Sequence, residues 1–228
     1  LISKGRDDEM CRLIFITCCS VFKIVTDIIN LTEEYKKNFQ VVGFIDDNPE
    51  LKGKVINNYK VLGGICDIEQ IIKEHNITDA VICLPEGYIK TRKKYYDICK
   101  EKGLNMPNFI HPSSVIGKDV RIGDGLICCA NSVINPGSII GNNVIIWTGT
   151  TIDHDNFISN HVYISPGVHL SGGVKINECV MIGTGAIVTP QVNIGSNVII
   201  GAASLVNKDV IDNVTLYGIP ARIIRKNN

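Results

Sequence analysis

The sequence predicts a mixed fold, a small α/β unit over residues 1–108 followed by a parallel β solenoid over residues 109–228, and three observations carry that prediction. The first part alternates short apolar runs with helical periods. The second part repeats every six residues. The composition, 45% hydrophobic over 228 residues, is globular and supports at least one proper core.

In the first part, CRLIFIT (11–17) reads as an apolar strand, and KIVTDIINLTEEYKK (23–37) carries helical spacing at Ile24, Ile28, Ile29 and Tyr35. QVVGFID (40–46) is a second strand, ended by a turn at Asn48 and Pro49. VLGG (61–64) leads into DIEQIIKEHN, a helix with Asp67 at the capping position. AVICLP (80–85) is a third strand, and TRKKYYDICKEKG a helix closed by Gly103. Strand and helix in this alternation argue for a small parallel sheet with helices against it. In the opening stretch LISKGRDDEMCRLIFITCCSVF, acidic residues precede the apolar run and charges follow within about ten residues. It reads as a strand and a helix start, not as a secretory leader or a membrane span.

The second part has its own period. Stepping by six from Ile116, the chain runs through Ile122, Cys128, Ile134, Ile140, Ile146, Ile152, Ile158, Ile164, Leu170, Ile176, Ile182, Val188, Ile194, Ile200 and Val206, all apolar. Four places after these come mostly Val, Leu, Ser or Ala, as at Val120, Val144, Val162, Val174, Ala186 and Val198. The place just after them often holds Gly or Asn, as at Gly117, Gly123, Asn135, Gly141, Gly183, Gly195 and Gly201. A period of six is a solenoid: each short strand plugs one aliphatic inward, the next corner takes a glycine or asparagine for its backbone angles, and stacked coils bury a core that no single repeat could. With three hexads to a coil, residues eighteen apart stack.

Charge and cysteines exclude several function classes. Twenty-three basic and 23 acidic residues give a net charge of zero, with no long blocks, so no electrostatic footprint exists for nucleic acid or an anionic membrane. The nine cysteines, Cys11, Cys18, Cys19, Cys66, Cys83, Cys99, Cys128, Cys129 and Cys179, include no CxxC pair. They read as buried thiols of a reducing compartment, which places the chain in the cytoplasm. The scattered histidines offer no metal-ligand spacing, so no metal is expected.

One polar cluster stands out inside the solenoid, TIDHDNF (151–157). A lone His-Asp pair is usually structural, but His154 falls two residues after the inward Ile152 and so projects from the coil, and Gly172 lies eighteen residues on, directly over it. An imidazole near neutrality accepts a proton, a carboxylate at its other nitrogen fixes the tautomer, and an N–H aimed at a developing oxyanion stabilises it.

The hexads, with VVGFIDDNPE, YKVLGG, NFIHPSSVIG, TIDHDNF, SPGVHLSGGVKI, IGTGAIV and YGIPARII, resemble the left-handed parallel β-helix (hexapeptide repeat) acyltransferases. From about Cys11 onward, the chain is similar to the nucleotide-sugar N-acetyltransferases that join a Rossmann-like N-terminal domain to such a helix, the bacillosamine, perosamine and viosamine N-acetyltransferases, and to sialic-acid O-acetyltransferases. The resemblance implies an acetyl-CoA-dependent N-acetyltransferase acting on the C4 amine of a UDP-, dTDP- or GDP-linked amino sugar for glycan biosynthesis, with a homotrimer whose acceptor and CoA sites lie between neighbouring helices. It implies His154 as base, Asp155 as its orienting acid and the Gly172 amide as the contact to the acetyl carbonyl or sulfur.

It further implies a CoA slot lined by Gly173, Gly185, Ala186, Gly201 and Ala202, with Lys208 or Arg222 meeting phosphate, and with Pro220 either beside the cofactor or only stopping the last coil. Many relatives place a second histidine nine residues after the base, where this chain has Tyr163; His161 and His169 are further candidate contacts. His169 is expected on a corner near the slot. In the N-terminal domain the resemblance puts the sugar nucleotide on a glycine-rich turn and an Asp pair. The pair is Asp46 and Asp47, but Thr17, Cys18, Cys19, Ser20, Val21 and Phe22 stand where the glycines belong. Since β-branched residues resist positive backbone angles, that loop is expected to have another shape. The competing readings are an O-acetyltransferase on sialic acid or a related sugar, and a non-catalytic hexapeptide-repeat scaffold. Acetyl-CoA-dependent thiol release separates the scaffold from both enzymes.

Overall fold

The computed structural model describes residues 10–227, so the first residues of the opening stretch, 1–9, lie outside the described part. The chain divides after Phe109 into two compact units.

The first unit is built on a five-stranded sheet. Strand β1 (Cys11–Ile16) lies between β2 (Phe39–Ile45) and β5 (Asp79–Ile82), both parallel to it; β4 (Tyr59–Gly63) extends the sheet parallel to β2, and the two-residue β3 (Val55–Ile56) closes that edge antiparallel. Leu13, Ile14, Phe15 and Ile16 are all buried, as a central strand covered on both faces requires. Helix α1 (Val21–Leu31) turns Val21, Phe22, Val25, Ile28 and Ile29 inward. Phe15, Phe22, Phe44 and Tyr59 pack as an aromatic cluster, the closest ring centroids, Phe22 and Phe44, 5.0 Å apart edge to face.

The helix expected over 23–37 starts earlier and is two helices. At Thr32 the backbone turns extended, φ −122° and ψ 114°, and α2 (Glu33–Asn38) begins anew, with Glu33 and Glu34 in its first turn and Lys36 and Lys37 in its last. That charge order suits a helix dipole that restarts at Thr32. Helix α3 (Ile68–His75) follows Asp67, whose side chain does not cap it; Asp67 Oδ2 instead accepts from Gly64 N–H and from Lys52 Nζ. Helix α4 (Ile89–Glu101) ends as expected at Gly103, whose φ of 77° lets its N–H and that of Leu104 reach back to the carbonyls of Lys100 and Cys99.

The second unit is a parallel β-helix of two-residue strands in three stacked sheets, in which residues eighteen apart pair, as Thr151 with Val133 and His169 do. The second residue of each strand is the aliphatic of the hexad; Ile134, Ile152, Ile158, Ile164, Ile176, Ile182 and Ile200 are all buried in one continuous core, and the earliest two, Ile116 and Ile122, are partly exposed. Val144, Val162, Val174, Ala186 and Val198, four places on, fill the same core.

The corners differ from expectation. Every sixth residue from Asp119 to Ala203 has a positive φ, so the left-handed corner falls three places after the aliphatic, not one. The glycines one place after it answer to space: a Cβ on Gly183 would lie 2.6 Å from the Ala202 nitrogen of the next coil, and one on Gly141 2.7 Å from the Ser159 carbonyl carbon. After the last hexad the strand Val214–Gly218 pairs parallel with Ile199–Ile200 and then antiparallel with Ala221–Lys226. Pro220 therefore sits in the tip of a hairpin, after a cis peptide bond, instead of stopping a coil.

The cysteines are all free, but not all buried: Cys83, Cys99, Cys128, Cys129 and Cys179 are, Cys11, Cys18 and Cys19 are half-buried, and Cys66 is exposed. Burial raises the thiols it covers, Cys99 to about 12 and Cys129 to about 12. Among the described residues, no helix is long and apolar enough to cross a membrane, and no cluster of three or more His, Cys, Asp or Glu side chains is arranged to hold a metal ion.

Candidate active site

The corner Asp153–Asn156 follows the strand Thr151–Ile152. Ile152 faces the core and is fully buried, which turns the next residues outward, and Asp155 occupies the left-handed corner at φ 58°. Aspartate tolerates that conformation better than most side-chain-bearing residues. His154 Nδ1 lies 2.9 Å from Asp155 Oδ2. A carboxylate only accepts, so in the neutral ring Nδ1 carries the proton and Nε2 keeps its lone pair. The hydrogen bond to Asp155, and then the charge of Asp153, hold the imidazole above its ordinary pKa.

Gly172 lies against that free nitrogen. A Cβ built on Gly172 would be 2.7 Å from Nε2 and 2.8 Å from Cε1 of His154, so only a glycine fits under the ring as it stands. The next residue ties the coils, Gly173 N–H donating to His154 O at 3.0 Å. Among the described residues the Gly172 N–H has no acceptor. Asp153, His154, Asp155, Ser171, Gly172, Gly173, Pro190 and Gln191 line an open cleft of ≈ 470 Å³.

Five residues that sequence reasoning missed hold or flank this corner. Asp153 Oδ1 accepts from Asn135 Nδ2 at 2.9 Å and from His154 N–H at 2.8 Å, and these bonds, the Asn135 one first, lower its pKa. Asn156 is buried beneath the corner. Pro190 and Gln191, eighteen residues after Gly172 and Gly173, extend the same wall, and the coil period was the signal that would have found them.

The other expected contacts are not gathered here. Tyr163 is 1% exposed and packs toward Trp147, ring centroids 6.1 Å apart, while His161 is buried with its Nδ1 2.9 Å from Asn143 Nδ2; neither lines the cleft. His169 is on a strand, not a corner, with Nδ1 2.7 Å from Thr151 Oγ1.

Of the expected CoA slot, Gly173 lines the cleft and Gly185 is exposed at a left-handed corner. Ala186 is not available to a ligand: its side chain is in the core, its N–H donates to Gly183 O and its carbonyl accepts from His169 N–H. Gly201 is covered by the Tyr217 ring and donates to Leu216 O, whereas Ala202 is exposed. Lys208 and Arg222 share a second cleft, of ≈ 260 Å³, with Val206, Asn207, Asp209, Val210, Leu216, Ala221 and Ile223. Pro220 does not line it.

In the first unit, the turn after β1 departs from the expectation that a β-branched residue would refuse a positive angle. Thr17 takes φ 77°, as a glycine would, with its N–H on Ile45 O and its buried Oγ1 without a hydrogen-bond partner among the described residues. Asp46 braces the turn, Oδ2 accepting from Cys18 N–H at 2.8 Å and Oδ1 from Asn48 N–H at 2.9 Å. Burial and then Asp46 push the Cys18 thiol up to about 12. Asp47 accepts from Ile65 N–H and Tyr95 OH, while Cys19 is half-buried and Ser20 exposed ahead of α1. The aspartate pair thus joins the ends of β1, β2 and β4 to α4.

The fold is that of the hexapeptide-repeat acyltransferases of the left-handed β-helix kind, the class to which the similar solved structures belong. More particularly, residues 13–98 match the PglD N-terminal domain family. No curated protein sequence matches the chain significantly. Among solved structures, the chain is similar to a histidine mutant of perosamine N-acetyltransferase from Caulobacter crescentus in complex with CoA and GDP-perosamine, at 26% identity over 99% of this chain and 100% of that one, with a TM-score of 0.85. It is also similar to the acetyltransferase domain of PglB from Neisseria gonorrhoeae in complex with acetyl coenzyme A, at 27% identity over 95% and 100% of the two chains, TM-score 0.81. WeeI from Acinetobacter baumannii matches at 25% identity over 95% and 100%, TM-score 0.79.

Proposed function

We propose that this chain transfers the acetyl group of acetyl-CoA to the C4 amine of a nucleotide-linked amino-deoxy sugar, with His154 as general base. The observation that carries the reading is the placement of His154 Nε2, free of hydrogen, against Gly172, whose N–H has no acceptor among the described residues. The complexes of similar proteins with CoA, acetyl coenzyme A and GDP-perosamine support the substrate classes.

The amine lone pair attacks the thioester carbonyl carbon, a C–N bond forms, and the carbonyl π electrons move to oxygen, to which the Gly172 N–H donates a hydrogen bond. His154 Nε2 takes the ammonium proton while Asp155 holds Nδ1–H and stabilises the imidazolium. The oxyanion collapses, the C–S bond breaks, and the proton passes to the departing thiolate. Gly173 and Gly185 offer room for the pantetheine arm; Lys208 and Arg222 offer charge for phosphate at the second cleft. The turn at Cys18, Cys19 and Ser20 with Asp46 and Asp47 is the proposed sugar-nucleotide site, each carboxylate oxygen retaining a lone pair beyond the one hydrogen bond it accepts within the unit. A cytoplasmic homotrimer completes the reading.

The test is acetyl-CoA-dependent thiol release against UDP-, dTDP- and GDP-linked 4-amino sugars and sialic acid, beside His154→Ala. Turnover on one class, lost in the variant, is expected. Undiminished turnover in His154→Ala removes the base assignment, and thiol release only with sialic acid moves the activity to O-acetylation.

A further inference from the structure

Asn156 stands where the solenoid elsewhere places an apolar or a hydroxyl side chain. Its place in the hexad, four after the aliphatic, is occupied along the helix by Val, Leu, Ala, Ser or Thr, and Asn156 is the one amide. It is 1% exposed. Ser132, Ser138 and Thr150 in the same place each donate to the carbonyl fifteen residues on, those of Trp147, Asp153 and Ser165. Asn156 makes that bond too, Nδ2 to Ser171 O at 3.1 Å, and adds more. Nδ2 also donates to Asp153 O at 2.6 Å and approaches His154 O at 3.4 Å, while Oδ1 accepts from Val174 N–H at 3.1 Å.

We infer that Asn156 is a positioning residue for the His154–Asp155 pair, its buried amide tying the corner that carries them to the coil that carries Gly172. The carbonyls it holds belong to the peptide units on either side of His154, so it sets the direction of the His154 side chain and of the left-handed turn at Asp155. Its bonds to Ser171 O and Val174 N bracket Gly172 and Gly173 on the facing coil. A buried amide costs stability unless its donors and acceptor are met, and here they are met by the groups that define the site. Valine, the commonest residue at this place, would pack there and leave the corner to the weaker hold of Ser138 Oγ on Asp153 O and Gly173 N–H on His154 O.

The inference rests on the proposed role of His154, and its test separates the two. On the intact chain, the imidazole resonances are titrated by NMR, the His154 signal being the one lost in His154→Ala. Only Asp153 and Asp155 are charged among the residues lining the cleft around His154. Asn156→Val is expected to move the His154 midpoint down, toward the ordinary value of about 6.5, because Asp155 is no longer held on Nδ1. Turnover on the aminosugar nucleotide selected by the panel is expected to fall about tenfold or more in kcat, with KM little changed. Thr150→Val, which removes the equivalent bond at a different corner, should leave midpoint and kcat as they are. Asn156→Ser, which can restore only the bond to Ser171 O, should lie between, and it carries the same comparison where the valine variant does not fold. An unmoved His154 midpoint in both Asn156 variants overturns the inference, as does the same shift in Thr150→Val. Full activity in His154→Ala removes the base reading instead, and leaves the titration result for Asn156 standing.

Discussion

Nε2 of His154 would touch a methyl group placed on Gly172, at 2.7 Å, although the two residues are eighteen apart in sequence. The backbone of Gly172 is not in the left-handed region, so alanine is allowed there conformationally and meets the imidazole first. Gly172→Ala should therefore displace the ring at a small cost in stability, below about 1 kcal/mol, and lower kcat roughly 10- to 100-fold. Thermal unfolding of the double variant with His154→Ala provides the check, because the stability cost should vanish once the ring is gone. A cost that persists would place the clash elsewhere.

The pH profile follows from the two carboxylates. A base must be neutral to act, and His154 is held above the ordinary histidine range, so kcat/KM should fall as pH drops through that raised value. Asp155→Asn suits the left-handed corner, where Asn131, Asn143 and Asn197 already sit, so the fold should survive. Its acid limb should move down and its kcat should fall on the order of 10²-fold or more, as an amide neither fixes the tautomer nor stabilises the imidazolium.

Asp153 acts at longer range and through the backbone. Asp153→Asn should lower the acid limb by less than Asp155→Asn does and cost less in kcat, because the Asp155 bond remains and leads the shift of His154. Equal shifts in the two variants would contradict that order.

Ile152 sets the corner by filling the core beneath it. Truncation to alanine should cost about 2–5 kcal/mol by denaturant titration, the range for a buried aliphatic in a core that cannot collapse. A cost under about 1 kcal/mol would mean that the coils close over the void.

Thr17 carries strain that a glycine would not. Its φ of 77° and unpartnered buried hydroxyl should make Thr17→Gly neutral or stabilising by up to about 1 kcal/mol, against the usual penalty for adding glycine. A drop in Tm would show that the threonine methyl group contributes more packing than its conformation costs.

Much of the molecule was legible in the chain. Stepping by six from Ile116 fixed the coil, its inward face and the stacking of Gly172 over His154, because a solenoid contacts mainly its nearest coils and repeats its register without long-range choices. What the periodicity located wrongly was the corner: Gly and Asn cluster one place after the aliphatic, yet the left-handed angle is three places on, and those glycines answer to the backbone of the next coil. Ala186 and Gly201 show the same ambiguity, since small size can serve a ligand or a neighbouring coil, and within the chain both are covered by the coil.

The sequence by itself determined the two-part architecture, the inward column and the pairing of an imidazole with a carboxylate on an outward turn. Tertiary structure decided which nitrogen of His154 is free, that Asp153 and Asn135 brace it from below, and that Asn156 reaches both coils at once. Those facts depend on hydrogen-bond directions between coils, which a repeat of six places within reach of one another but does not orient.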